Sequence, residues 1–566
     1  MEPVPLSAER RRHDLQRMRD ETFDIVVIGG GVTGTGIALD AATRGLTVAL
    51  VEQRDYAAGT SSRSSKLIHG GLRYLEQLNF SLVQEALKER GLLLNDLAPH
   101  LVKPVSFVYP LKHPVWERIY AGAGVFLYDT LGGARQLPRH QHLTRRKAME
   151  LVPSLRKDAL VGALRYWDGQ VDDSRHTMEI ARTAAAYGAA VANSARVTGL
   201  IREGERVVGA TIRDQEGGED IDVRGRQVIN ASGVWTDNIQ ELVGRGKIQV
   251  RASKGIHIMV PKDRIHGDSG LILRTESSVL FIIPWSNHWL IGTTDTDWNL
   301  DLAHPAASGT DIQYLLDHVN RVLQTPLTHE DVEGVYAGLR PLLSGESEAS
   351  SKLSREHAVA QTAAGLITIA GGKYTTYRVM AKDAVDLAAR SLPQRVPACV
   401  TERTPLLGAQ GYHALWNRRA RIAEESGLHV SRIEHLLNRY GSMITEVLAL
   451  IDDRPDLAAP IVGADIYLKA EAVYSAQSEG VNHLDDFLTR RTHISIETFD
   501  RGVAAAQDVA PLIGDVLGWD EGTLAREIEH YEARVAAELE SQKMPDDRTA
   551  DAARMGARDV RVGGAA

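Results

Sequence analysis

A single cysteine, Cys399, stands in 566 residues. One thiol cannot form an internal disulfide, a thiolate-held iron cluster or a CxxC redox couple. Any redox chemistry in this chain therefore needs an organic carrier for its electrons. The lack of disulfides fits a reducing compartment. No run of eighteen or more apolar residues occurs, so no bilayer-spanning helix is expected. The first residues carry no secretory-type apolar core. Positive charge is not in excess either: 65 Lys and Arg stand against 74 Asp and Glu, a net charge of -9. That is the wrong sign for a protein that coats nucleic acid, and no nucleic-acid-binding motif is present. A local group of arginines can still hold a small anion inside an acidic protein. The length allows two to four domains.

What is present begins at residue 23. Phe23 to Ile28 is a β-rich apolar run that suits a buried parallel strand. It leads directly into GGGVTG, where Gly29, Gly31 and Gly34 make the G-x-G-x-x-G spacing. A small-residue segment from Gly36 to Ala42 suits a tightly packed helix, and Thr47 to Val51 a second strand ending at Glu52. Each glycine has a physical task. Gly29 permits the tight turn, Gly31 lets backbone approach a pyrophosphate, and Gly34 lets helix and strand pack closely. The helix N-terminus offers free N–H groups to phosphates. Glu52, 23 residues after Gly29, is placed to accept ribose hydroxyls. Strand, glycines, helix, strand and acid in this order predict a dinucleotide site of the Rossmann type, without separating FAD from NAD.

The segment GTSSRSSKLIHGGLR, residues 59–73, is rich in Gly and Ser and follows at the carboxyl ends of the strands. Its hydroxyls (Ser61, Ser62, Ser64, Ser65) suit a pyrophosphate and a ribityl chain. Gly70 and Gly71 permit close passage beside a flat ring. Later runs look like returns to the same sheet: Arg226 to Ala231, followed by Ser232 and Gly233, and Leu366 to Ala370, followed by Gly371 and Gly372. The last leads through KYTTYR into an alanine-rich helix, a second strand–glycine–helix junction. Four cationic or titratable residues fall at the ends of apolar runs: His257 in KGIHIMV, Arg340 in GLRPL, Arg355 in SREH and Lys373 in GGKY. Two arginines can grip a phosphate by bidentate bonds, and a carboxylate would suit them equally. Lys373 can stabilise negative charge on a substrate oxygen or on a reduced flavin. His257 can take a hydroxyl proton.

The expected fold is α/β: a discontinuous Rossmann-type FAD-binding domain (21–100, 170–245, 330–390) with an inserted α+β substrate domain (101–169, 246–329). The apolar runs Ile256–Val260, Leu271–Leu273, Val279–Ile283 and His288–Ile291 read as strands of that insertion. Helical periodicity over 412–425, 430–440, 467–479, 502–517 and 525–541 predicts a C-terminal helical domain, 400–545. It carries no metal cluster and no nucleotide motif. Residues 1–20 and 546–566 are expected to be flexible ends, the first a solvated leader or short surface helix.

GGGVTGTGIALDAATRGLTVALVE, SSKLIHGGLRYLE, DDSR, ASGVW, TDTD, GLRPL, SREH and GGKYTTYR occur in this order. Together they resemble the FAD-dependent glycerol-3-phosphate dehydrogenases of aerobic respiration, over about residues 21–540. The SSKLIHGGLRYLE block sets that family apart from other flavin-dependent amine and hydroxy-acid oxidases. The resemblance implies noncovalent FAD, oxidation of sn-glycerol 3-phosphate to dihydroxyacetone phosphate, and reoxidation by a membrane quinone. It implies Arg340 and Arg355 near the substrate phosphate, and His257 and Lys373 at the reacting atoms. The cofactor residues would be Gly29, Gly31, Gly34, Glu52, Ser62, Ser65, Lys66, Leu67, His69, Gly70, Gly71, Gly372, Lys373, Tyr374, Thr375 and Thr376. It also implies a cytoplasmic protein, peripheral on the membrane, with a homodimer left open. The aromatic segment Val115 to Tyr128 and the basic N-terminal arm are the candidate lipid contacts. Three other readings share these motifs: an oxidase that uses oxygen, an oxidoreductase of 2-hydroxy or amino acids, and a flavin-binding sensor without turnover.

Overall fold

The fold is given by a computed structural model that describes residues 4–71, 79–113, 115–132, 137–244, 248–275, 279–344 and 357–562. Two sheets organise them. In the first, Leu366–Gly371, Asp220–Asn230, Thr22–Ile28, Val48–Val51 and Ala190–Ala192 lie side by side in that order, all parallel. His357–Ala363 adds an antiparallel edge. The central strand Thr22–Ile28 is buried over its last four residues because helices cover the sheet. Helix Val32–Thr43 crosses between Thr22–Ile28 and Val48–Val51, and is so rich in small residues that helices Asp173–Ala186 and Tyr377–Ala389 both pack on it.

The second sheet is mostly antiparallel. Val250–Pro261 lies at its heart, paired with Gly334–Leu343, His288–Gly292 and Thr296–Trp298. The sheet continues through Val279–Trp285, Gly270–Arg274, Val102–Leu111 and Gly162–Val171 to Leu67–Ile68. Two of these strands differ from the expected domain limits. Gly334–Leu343 and Leu67–Ile68 were expected in the FAD-binding domain and pair instead in the substrate sheet. The chain passes between the sheets more often than run lengths alone indicate, and these crossings bring the flavin loop and Arg340 together.

The C-terminal region is helical as expected, with Val430–Tyr440, Lys469–Ser478, Val503–Leu517 and Glu521–Ser541 the main elements. Helix Ile444–Asp453 is an addition that periodicity did not single out. Charged groups dock this region on the first sheet. Arg175 meets Glu479 at 2.7 Å with both side chains fully buried, and Arg491 meets Asp55 at 2.7 Å. Removing one partner of such a buried pair costs about 3–5 kcal/mol, because the other charge is left unmatched.

The short N-terminal helix that was one of the expected readings is present, but neither end is the flexible segment expected. Ala8–Asp20 is a helix capped by Ser7, with Leu15 and Met18 buried against the first sheet. Arg10, Arg11, Arg17 and Arg19 are engaged within the chain: Arg11 meets Asp214 at 2.6 Å and Arg17 meets Glu21 at 3.0 Å. Residues Asp547–Arg554 also form a helix, and Ala550 packs in a small apolar cluster beside Trp298 and Leu339. Isolated apolar residues such as Leu15, Met18 and Ala550 do not announce a docked segment, since the surface they cover comes from distant parts of the chain.

Several histidines are buried in the neutral form. Burial pushes His176 down to about 3 and holds His100 well below the ordinary histidine range. In both cases the folded pKa lies below the unfolded one. Folding is therefore unaffected above about pH 6.5, and below it the unfolded chain gains a proton that the folded chain refuses. Each such histidine removes about 1.4 kcal/mol of stability per pH unit across this window. The carboxylates held low, such as Asp172, act only near and below their own unfolded range. The melting temperature is thus expected to fall between pH 6.5 and pH 5, and a Tm that stays flat there would contradict the neutral buried histidines.

Candidate active site

The strand–turn–helix at residues 22–43 shows why its glycines are glycines. Gly29 has φ +111°, and a Cβ there would lie 2.7 Å from the Ala231 carbonyl oxygen. A Cβ on Gly34 would lie 1.8 Å from the Gly29 carbonyl oxygen, so the helix could not approach the strand. Gly31 caps the helix with extended backbone, and Ser61 Oγ accepts from the Val32 N–H at 2.9 Å. Glu52 closes the unit. Its carboxylate accepts from the N–H groups of Gly30 at 2.6 Å and Arg54 at 2.8 Å. Burial raises its pKa, and those two N–H bonds act against the rise.

A cavity of about 320 Å³ runs from this turn to the second sheet. Gly29, Gly31 and Glu52 line it at the turn, His257 and Arg340 line its far end on the second sheet, and Ser65, His69, Gly372, Lys373 and Tyr374 line it as well. The far end is built by strand pairing. His257 stands opposite Tyr336, Gly255 opposite Gly338, and Ser253 opposite Arg340. Alternate residues share a face of a sheet, so these three pairs form one surface with glycines at its centre. His257 stacks on Tyr336, ring centroids 4.8 Å apart. Nε2 of His257 lies 2.8 Å from Ser65 Oγ. Burial holds His257 well below the usual histidine range, and the charges of Arg340 and Lys66 lower it further.

Arg340 is held by the segment between Gly292 and Trp298. Its Nη2 donates to Thr293 Oγ1 and to the Thr294 carbonyl, both at 3.1 Å, and Asp295 lies 3.6 Å from Nη1. A Cβ on Gly255 would lie 2.4 Å from that Nη2. The guanidinium therefore folds back over Gly255, two residues from His257, about 7 Å along the strand.

Not every residue expected at the site faces the cavity. The Lys66 ammonium is fully buried and meets Asp173 at 2.6 Å, so it braces the loop rather than reaching a ligand. Ser64 joins it, its N–H and hydroxyl donating to Asp173 at 3.1 and 2.7 Å. Leu67 lies in the apolar core, and Ser62 lines a different cavity. Gly34 acts beneath the turn. Gly70 donates its N–H to the Tyr128 hydroxyl at 2.7 Å, and Gly71 has φ +75° at the end of the loop. Thr375 Oγ1 exchanges hydrogen bonds with the His69 backbone, and Thr376 is buried under the same turn. The Tyr374 hydroxyl donates to the Asp173 carbonyl at 2.7 Å. Arg355 lies outside the described residues. Ser61, one of the expected loop hydroxyls, lines the cavity, whereas Tyr336, Trp235 and Thr293 were not singled out from sequence. Tyr336 and Arg340 sit in Y-x-G-x-R, opposite S-x-G-x-H, an alternation that is visible once the two strands are known to pair.

Residues 24–378 match the FAD dependent oxidoreductase family, and residues 399–524 match the C-terminal domain of alpha-glycerophosphate oxidase. Glycerol-3-phosphate dehydrogenase 2 of Mycobacterium tuberculosis is 59% identical over 97% of this chain and 94% of its own length. The chain belongs to the FAD-dependent glycerol-3-phosphate dehydrogenase family. The mitochondrial glycerol-3-phosphate dehydrogenase of Mus musculus is 36% identical, over 93% of this chain and 75% of its own. The crystal structure of glycerol-3-phosphate dehydrogenase from Bacillus halodurans complexed with FAD matches with a TM-score of 0.78 and 30% identity, covering 94% of this chain and 98% of that one. The residues present here fit FAD: a glycine turn without room for side chains, a buried acid at the second strand, and a cavity that continues to a cationic end. Among the described residues no cluster of ligating side chains suits a metal ion.

Proposed function

We propose that this protein oxidises sn-glycerol 3-phosphate at its secondary hydroxyl, giving dihydroxyacetone phosphate, and that the electrons pass through FAD to a membrane quinone. Bound FAD supplies the acceptor for the hydrogen that leaves carbon. It is held noncovalently in this reading, by Gly29, Gly31, Glu52, Ser65, the 69–71 turn and the 372–376 turn, so acid releases it from the protein. The observation that carries the assignment is the return of the Arg340 guanidinium over Gly255 toward His257. Arg340 grips the phosphate, with Arg355 as its partner, and Thr293 orients the grip. His257 accepts the hydroxyl proton at Nε2, the nitrogen that meets the cavity-lining Ser65 hydroxyl. Burial, with the nearby charges of Arg340 and Lys66, keeps His257 neutral, which is the form a base needs. A substrate phosphate offsets the positive charge of Arg340 and so raises the basicity of His257 when the substrate is in place. Lys373, on the same cavity wall, stabilises negative charge at the reacting end. Turnover of glycerol 3-phosphate with a soluble quinone analogue should exceed oxygen-dependent turnover, and equal rates with matching peroxide would make the protein an oxidase.

A quinone is apolar, so its reductase gains from contact with the bilayer. Among the described residues no helix is long and apolar enough to cross a membrane. Helix Trp116–Gly132 supports surface contact instead. Trp116, Ile119, Tyr120 and Phe126 are 54–68% exposed, whereas Val125 and Tyr128 on its other face are buried. An exposed apolar and aromatic stripe of this kind suits the headgroup level. The N-terminal helix adds less than its composition implies, because Arg10, Arg11 and Arg17 are paired within the chain. In this reading the protein is peripheral on the cytoplasmic face. It should float with liposomes, and a Trp116→Ala, Phe126→Ala double variant should lose most of the floated fraction. Full flotation of that variant would move the contact elsewhere.

A further inference from the structure

A second cavity, of about 110 Å³, lies behind the flavin loop, where Arg54, Ser62 and Arg63 meet Ala337, helix Glu521–Ser541 and the C-terminal arm. About 10–15 Å³ of such space holds one water, so the cavity admits a small polyatomic ion. Its walls are cationic. Arg54, Arg63, Arg534, Arg554 and Arg558 line it, against the carboxylates Asp485, Glu538 and Asp559. Two further lining arginines, Arg490 and Arg561, meet Asp486 behind the wall and also the wall carboxylates Asp485 and Asp559. Glu527 is matched by His483 at 2.8 Å.

The three carboxylates are already engaged. Asp485 meets Arg534 at 2.6 Å and Arg490 at 2.9 Å, and Glu538 meets Arg534 at 3.0 Å. Asp559 lies 3.3 Å from His304 and 3.6 Å from Arg561. Arg63, by contrast, forms no ion pair among the described residues. Its one side-chain hydrogen bond runs from Nη1 to the Ala337 carbonyl at 3.5 Å. Arg54 is 8% exposed, and its Nε has no hydrogen bond, with Asp559 3.4 Å away. Burial pushes the Arg63 guanidinium down to about 9, and Arg54 and Arg534 add to the fall. These are the marks of cations gathered without enough negative charge. A guanidinium stays charged at neutral pH, so the mismatch calls for an anion rather than for deprotonation.

We propose that this cavity binds a phosphate-sized dianion, either inorganic phosphate or the phosphate end of a small phosphoester. Arg54, Arg63, Arg534 and Arg554 outnumber the three carboxylates, the exposed Arg558 adds a further charge at the rim, and forked donors match the anion's oxygens. Arg54 and Arg63 belong to the loop that follows Glu52, and the Arg54 N–H holds the Glu52 carboxylate. Arg554 and Arg558 belong to the arm. The anion therefore ties the arm to the flavin loop, and its occupancy slows the loss of FAD.

The test is calorimetric titration of the FAD-loaded Arg340→Gln protein, in which the main phosphate grip is weakened, with inorganic phosphate and separately with glycerol 3-phosphate. One phosphate should bind, and a further Arg554→Gln substitution should weaken it at least tenfold. Phosphate binding alone, or glycerol 3-phosphate at the same site as well, separates the two sources, and either result upholds the site. Loss of binding with Arg340→Gln alone, or an affinity unchanged by Arg554→Gln, overturns it. If Arg554→Gln does not fold, hydrogen exchange in the unsubstituted FAD-loaded protein decides: phosphate should protect the amides of 547–562, and unchanged exchange there refutes the proposal.

Discussion

Arg340→Ala should lower kcat/KM for sn-glycerol 3-phosphate by about 30-fold to several thousand-fold, with FAD still bound. The range follows from the loss of a half-buried, hydrogen-bonded charge that a bound phosphate would cover, about 2–5 kcal/mol. Arg340 is oriented by Thr293, the Thr294 carbonyl and Asp295, so its guanidinium is in place before substrate arrives. Lysine keeps the charge and loses the fork, so Arg340→Lys should recover part of the activity. Glycerol carries no phosphate, and its poor turnover should change little. An equal loss with glycerol and glycerol 3-phosphate would show that the substitution acts on the fold or the flavin instead.

His257→Gln should slow anaerobic flavin reduction by about 10²–10⁴-fold, the usual worth of a positioned general base. Glutamine is preferred to alanine because His257 is 2% exposed and stacked on Tyr336, where a cavity would confuse the result. The flavin spectrum should stay as in the unsubstituted protein. The pH dependence has a definite sign. The group must be neutral to accept a proton, and in the free protein it is held well below the ordinary range. Reduction under subsaturating substrate should therefore stay level from pH 8 to below 6.5, and the acid limb should vanish in His257→Gln. A full reduction rate in that variant would move the base elsewhere, with Lys373 the first alternative.

The cofactor turn was legible because its information is local. Gly29, Gly31, Gly34 and Glu52 lie within 24 residues; the contact of Gly34 with Gly29 is inside that unit, while Gly29 and Gly31 are confined by Ala231 and Ser61 outside it. The far end was legible only as a set of residues. His257 and Arg340 stand at ends of apolar runs, but nothing local says that Val250–Pro261 pairs with Gly334–Leu343, nor in which register. Register is set by long-range packing, and a shift of one residue would turn His257 away from Ser65. Lys66 misleads for the same reason. Its serine- and glycine-rich surroundings suggest a ligand contact, whereas its partner, Asp173, lies 107 residues away and under the loop. The ends were misread because composition reports solvation, while Met18 and Ala550 find their partners on distant strands and loops. The exposed face of Trp116–Gly132 was visible as a run of aromatics, but only the fold separates the outward Trp116 and Phe126 from the inward Tyr128.

The most direct measurement is anaerobic reduction of the bound flavin, followed by absorbance. With sn-glycerol 3-phosphate the oxidised flavin band should bleach rapidly, and one dihydroxyacetone phosphate should form per flavin. Glycerol, and lactate as a representative 2-hydroxy acid, should bleach it far more slowly at the same concentration. Rapid bleaching by lactate or an amino acid, with none by glycerol 3-phosphate, would show that the arginine site holds a carboxylate and would contradict the assignment.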